Sequence, residues 1–281
     1  MTSGETGAAA AAPASGAAAS TAPAPSRRVL GTEVLLVLGV SIGASAIFAT
    51  YRIVERLSRP EALSQQTAAL NVSRLPDRPW FDLVDQLLRI SLALVPVLLA
   101  VYLLSRYPGD GRRLIGLDWR RPRFDLGSGA LLAMVIGIPG LALYVAALHL
   151  GIGVRIAPAA LSAVWWAVPV LILAALQNAL LEEVIGVGYL LTRLRELGWH
   201  AAAAVGAHAL LRGSYHLYQG FGGFIGNAIM GVIFALFYLR YRRVMPLVIA
   251  HTILDVVAFV GYGLYSDELD SLLGRILGAL G

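Results

Sequence analysis

A few ionisable residues lie inside otherwise apolar stretches of this sequence: Glu182, Glu183, His208, Arg212, His216, His251 and Asp255. A charged side chain at the centre of a membrane helix costs roughly 2.5–3.5 kcal/mol on insertion scales, so such groups are functional candidates when each has a partner. Their types suit general acid–base work on a bound water, with carboxylates and imidazoles passing protons and a cation balancing charge. Their spacing follows helical faces. Residues four apart share a face, so HALLRGSYH aligns His208, Arg212 and His216, and HTILD stacks His251 over Asp255. Glu182 and Glu183 differ by about 100° around an α-helix and are expected to point apart, one to a reaction centre and one to a structural hydrogen bond or ion pair. His208 reads as a satisfied core histidine, and Arg212 as a counter-charge. His149 and His200 sit at segment ends and read as interfacial. The hydroxyls of Tyr189, Tyr215 and Tyr218 read as supporting donors or interface anchors.

The elements that must position these groups are membrane helices. The chain has 281 residues, is 58% hydrophobic and 14% charged, and has a mean hydropathy of +0.72. Soluble domains carry about 25% charged residues, so the expected fold class is all-α, a polytopic membrane helical bundle. Apolar runs at about 30–52, 85–105, 128–150, 163–192, 200–216, 222–240 and 244–265 suggest about seven transmembrane segments, the fifth being short and polar. Residues 1–28 read as a disordered cytoplasmic tail rich in Ala, Pro, Ser and Thr, and 29–281 as the helical membrane domain. The stretch 267–280 is amphipathic and expected at the surface. The loop at 53–84, with Pro60, Pro76 and Pro79, suggests a short interfacial helix. Arginines concentrate in the loops at 106–123, 193–195 and 240–243, while the loops after the third and fifth segments hold Arg155 alone or nothing. With the N-terminus inside, this is a positive-inside bias, expected of a bacterial cytoplasmic (inner) membrane protein. All 22 basic residues are arginine and the pI is 9.7. No basic stripe interleaved with aromatics appears, so a lipid bilayer rather than nucleic acid is the expected partner. The absence of cysteine excludes a thiol nucleophile and any cysteine-ligated metal.

Taken together, the ordered motifs resemble the CPBP family of intramembrane proteases (CAAX protease and bacteriocin-processing enzymes, also called Abi). That family is marked by E-E-x-x-x-R, F-x-x-x-H and H-x-x-x-N/D. Here EEVIGVGYLL supplies Glu182 and Glu183, RGSYH supplies His216, and HTILD supplies His251 and Asp255, over a core of about 128–265. Two positions depart from the pattern: Val187 stands where the family arginine belongs, and Arg212 where the phenylalanine belongs. The complementary character of the two changes suggests that Arg212 supplies Glu183 with the cation that Val187 cannot.

The resemblance implies an intramembrane endopeptidase that hydrolyses a membrane-associated peptide or protein substrate. Glu182 would be the general base on water, assisted by His216. His251 and Asp255 would stabilise the oxyanion or hold its stabiliser, and Glu183 would be structural. A metal version uses Glu182, His216 and His251 as ligands of one zinc ion with an open position, although H-E-x-x-H is absent. Serine and aspartyl intramembrane proteases are disfavoured: GASA and GSYH do not match a G-x-S-G nucleophile, and Asp255 has no paired aspartate in a G-x-G-D setting. Two readings without proteolysis stand beside the protease: a membrane scaffold or immunity-type protein of the same fold, and a proton-coupled transporter using the polar cluster as a relay.

Overall fold

In the computed structural model, residues 25–106, 109–159, 161 and 164–280 are described. Most of the expected tail lies outside these residues. Its last two residues, Arg27 and Arg28, instead form the first turn of α1 (Arg27–Gly39), where the Ser26 hydroxyl accepts a hydrogen bond from the Val29 backbone N–H. A sharp break leads to α2 (Ile42–Leu57), bent by 52° from α1. Gly43 permits this break, because a Cβ there would lie 2.6 Å from the Leu38 carbonyl oxygen.

The other helices are α3 (Pro79–Ala93), α4 (Val95–Ser105), the single turn α5 (Gly111–Leu114), α6 (Pro122–His149), α7 (Ala167–Glu182), α8 (Leu190–Glu196), α9 (Ala201–Tyr215), α10 (Gly220–Tyr241) and α11 (Met245–Leu280). Between α7 and α8 runs a π-helical segment, Glu183–Tyr189. Five helical stretches among the described residues are long and apolar enough to cross a bilayer, or six if the bent α1–α2 pair is one span. The chain is thus an all-α integral membrane bundle. Of the seven expected segments, the fifth is α9. At 15 residues and 1.5 Å per residue it reaches about 22 Å, short of a ~30 Å hydrocarbon core.

The span formed by α7, the π segment and α8 is the most enclosed, with 56% of its apolar window buried against 17–33% in the other long spans. Its residues Val184, Ile185, Val187 and Tyr189 are fully inaccessible and lie at the heart of the main core. Around this span α9 packs along α10, and α11 along α6 and α7. Outward-facing residues such as Leu131, Met134 and Ile138 on α6 are exposed and apolar, as a lipid-facing surface requires.

The loop between α2 and α3 holds no interfacial helix. It forms a 3₁₀ turn (Leu63–Gln65) and a strand β1 (Thr67–Ala69), which pairs in parallel with β2 (Arg155–Ala157) in the register Thr67 to Arg155. Buried Gln66 drives this alternative: its amide donates to the carbonyls of Arg56 and Glu61, and its own carbonyl accepts from Arg155 N–H.

At the opposite end the arginine-rich loops gather. Arg243 forms a fork with Asp125 at 2.6 and 2.7 Å and reaches Asp118 at 2.9 Å. Arg106 pairs with Glu33, and Arg193 binds Glu196 and the Leu103 carbonyl. Asp125 is completely buried. Removing one partner of a buried pair costs about 3–5 kcal/mol, so Arg243→Ala is expected to lose that much stability in thermal or denaturant unfolding. Burial alone would raise the Asp118 carboxyl, but the Arg120 backbone N–H and the Arg243 guanidinium outweigh it and hold it below the usual carboxylate range. The folded state therefore binds this proton less readily than the unfolded chain. The stabilisation is complete above about pH 4 and fades as pH falls through the lowered value.

Candidate active site

Glu182 closes α7 and Glu183 opens the π segment. Seven consecutive residues in a helix with i→i+5 hydrogen bonds are unusual, and such distortions gather at functional sites. The two glutamates differ in setting, Glu182 at the edge of the cluster and Glu183 sealed within it, yet they share one partner. Both long side chains reach the same guanidinium. Arg212 Nη1 donates to Glu183 Oε1 at 2.8 Å, and Arg212 Nη2 lies 3.4 Å from Glu182 Oε2.

Arg212 is fully buried, and the apolar walls around it make this charge dependent on its partners. Its guanidinium carbon lies 5.4 Å from the centre of the Phe234 ring, and Nη2 lies 3.5 Å from Met230 Sδ. Gly231 leaves room for it, since a Cβ there would sit 3.2 Å from Arg212 Cδ. Val187, where the family arginine would stand, is fully buried within the core. The Glu183 cation thus comes from α9.

His251, from α11, joins the same carboxylate. Its Nδ1 is 2.7 Å from Glu183 Oε1 and its Nε2 is 3.7 Å from Asp255 Oδ1. Asp255 Oδ2 in turn accepts from Asn178 Nδ2 at 3.2 Å. Glu182 is held at one oxygen only: the Tyr215 hydroxyl donates to Oε2 at 2.9 Å, while Oε1 makes no hydrogen bond among the described residues. With 14% of its side chain exposed, Glu182 stands at the edge of the cluster; Glu183 is sealed within it.

His216 caps the C-terminus of α9. Its Nδ1 is 3.0 Å from the Arg212 carbonyl oxygen, which leaves Nε2 as the nitrogen free for chemistry. It is within electrostatic range of Glu182 but makes no direct hydrogen bond to it. The rings of Tyr215 and Tyr218 flank it at 4.7 and 6.3 Å, and Gln219 Nε2 donates to the Tyr218 hydroxyl. His208 is buried as expected, with the Gly186 backbone close against its ring. His200 is the N-cap of α9 and accepts from Ala203 N–H.

The expected zinc set of Glu182, His216 and His251 is not assembled. The group whose ligand atoms all lie within 4.8 Å of one another is Glu182, Glu183 and His251. Each of these residues has an atom within 2.8–3.4 Å of the Arg212 guanidinium. Glu183 Oε1 already accepts from Arg212 Nη1 and lies 2.7 Å from His251 Nδ1, so it is engaged on both sides by groups that an ion would have to displace. The donor set does not fit zinc while Arg212 stands in its midst.

Residues 163–257 match the family model described as Rce1-like, type II CAAX prenyl endopeptidase Rce1-like. The likeness is to this segment, about a third of the chain. The match takes in every residue of the cluster, from Asn178 to Asp255, and lies within the expected 128–265 core. The family so described is one of prenyl endopeptidases. No curated protein and no solved structure matched the chain. The Rce1-like segment contains α7 to α10 and the first part of α11. An apolar cavity of about 420 Å³ lies between α6 and α10, with Leu143, Gly222 and Met230 in its wall, so Met230 joins it to the Arg212 cluster.

Sequence reasoning gave one member of this network only a general role and another none. Tyr215 directly precedes His216 and was legible only as a generic donor. Asn178 was passed over, although it stands four residues before Glu182 and therefore on the same face of α7.

Proposed function

We propose that this chain hydrolyses a peptide bond of a membrane-associated substrate by carboxylate-activated water, without a metal. The observation that carries the reading is the asymmetry of Glu182: Oε2 is anchored by Tyr215 and Arg212, while Oε1 is free at the edge of a buried polar cluster. In this mechanism Oε1 takes a proton from water as the oxygen attacks the scissile carbonyl carbon. His216 Nε2 orients the water. The carbonyl π electrons move to oxygen, and that oxyanion faces the His251 Nε2 proton, a donor of the kind worth about 10²–10³ in rate. When the intermediate collapses, the C–N bond breaks and Glu182 returns its proton to the leaving nitrogen. Glu183 and Arg212 do not touch the substrate; they hold His251 and Glu182 in place. The cavity between α6 and α10 would receive apolar parts of the substrate, and the arginine-rich end would face the cytoplasm.

The reading is tested by offering a library of membrane peptides to the purified protein, with and without chelator. Wild type is expected to cleave, Glu182→Ala to be inactive while still folded, and chelator to change neither. Equal cleavage by both proteins would overturn the catalytic role of Glu182. Loss of wild-type activity on chelation would overturn the metal-free chemistry. A proton-gradient-dependent flux with no cleavage would favour a transporter.

A further inference from the structure

Asp255 has two oxygens with different duties. Oδ1 faces His251 Nε2 at 3.7 Å, and Oδ2 accepts from the Asn178 amide at 3.2 Å. A side-chain amide nitrogen can only donate, so Oδ2 is committed as an acceptor and the plane of the carboxylate is set. Asn178 sits on α7 one turn before Glu182, whereas Asp255 sits on α11 one turn after His251. This hydrogen bond therefore ties the helix of the base to the helix of the oxyanion donor, within one turn of each.

We propose that Asn178 is a positioning residue of the reaction: by holding Asp255 Oδ2 it fixes Oδ1 3.7 Å from His251 Nε2, close enough to keep the proton on that nitrogen and too far to take its hydrogen bond, which stays available to the substrate carbonyl. The inference rests on the hydrolytic reading above. Glu183 secures His251 at Nδ1, so ring rotation is already limited; Asn178 and Asp255 govern the other nitrogen, the one that faces the reacting oxygen. An amide that merely joined two helices would affect stability and leave His251 unaltered.

The test uses full-length protein in lipid nanodiscs, labelled with ¹⁵N-histidine, with the His251 signals assigned by their loss in His251→Gln. Asn178→Leu is expected to lower kcat about 10–100-fold, in line with the cost of small misplacements at a reaction centre, with KM changed less than about twofold. The His251 Nε2 resonance is expected to move and the His208 and His216 resonances to stay. Unchanged kcat, or reduced kcat with the Nε2 resonance unmoved, would overturn the proposal. If Asn178→Leu does not fold, the exchange pair decides: Asn178→Asp sets two carboxylates face to face, and adding Asp255→Asn restores a donor opposite an acceptor. The double variant is expected to regain the wild-type Nε2 resonance and at least tenfold of the lost kcat; no recovery sinks the idea. If wild type cleaves nothing, the hydrolytic reading fails, while the His251 resonance still decides whether Asn178 controls that nitrogen.

Discussion

Glu182→Gln is expected to lower kcat/KM by about 10²–10⁴, the range supplied by a positioned general base, with little change in unfolding temperature. The two halves of this expectation have separate causes. Glutamine keeps an oxygen that can accept from Tyr215, so the 2.9 Å hydrogen bond at Oε2 survives. Glu182 also lies at the margin of the cluster, and Arg212 retains its shorter contact with Glu183. What disappears is a group able to take a proton from water at Oε1. Single-turnover cleavage measured beside a thermal melt separates the two effects. Activity within a few-fold of wild type would remove Glu182 from the mechanism, and a collapsed melt would make it structural.

Arg212→Ala should act in the reverse order, on the fold first and on activity through it. Arg212 and Glu183 are both fully inaccessible and meet at 2.8 Å. Deleting the cation strands the Glu183 charge in an apolar setting, and breaking such a buried pair costs about 3–5 kcal/mol. Typical folded-state stabilities are about 5–15 kcal/mol, so much of the margin would go. The diagnostic is a cycle. Arg212→Met with Glu183→Gln removes both charges, and replacing a buried pair by neutral groups is often nearly neutral; it should recover most of the lost stability but little activity, because His251 loses its carboxylate. If Arg212→Ala kept both its melt and its activity, the substitute-cation account of Val187 and Arg212 would be wrong.

The legibility of this site in the sequence was uneven, for physical reasons. Ionisable residues in apolar helices are costly, which is why Glu182, Glu183, Arg212, His251 and Asp255 stood out. Arg212 was legible as the partner of Glu183 because the cation missing at Val187 had to be replaced. That Glu182 and Glu183 share one guanidinium was not, because the angle between adjacent positions on a helix does not fix where two long side chains end; nor does anything in EVIGVGY announce a π pitch. Its glycines, Gly186 and Gly188, report instead the close approach of His208 and of Ile115 and Val244. Strands of three residues, such as β1 and β2, are too short to show an alternating pattern. The limit of α9 was foreshadowed by its polarity but settled only by its length. Asn178 was missed because the search followed ionisable groups, although a buried amide also needs a partner.

The small parallel ladder has a consequence for the newborn chain. Residues 67–69 emerge from the ribosome well before their partners at 155–157, with α3 to α6 to be inserted between. Backbone hydrogen bonds then continue to a third segment, from Val154 N–H to the Gln219 carbonyl and from Phe221 N–H to the Ile152 carbonyl. The rim beside His216 thus cannot close until three distant stretches have all been made, and His251 follows later still. Non-local pairing of this kind forms slowly. The nascent protein passes through membrane insertion with its cluster unfinished, and its reactive groups come together only once nearly the whole bundle is in place.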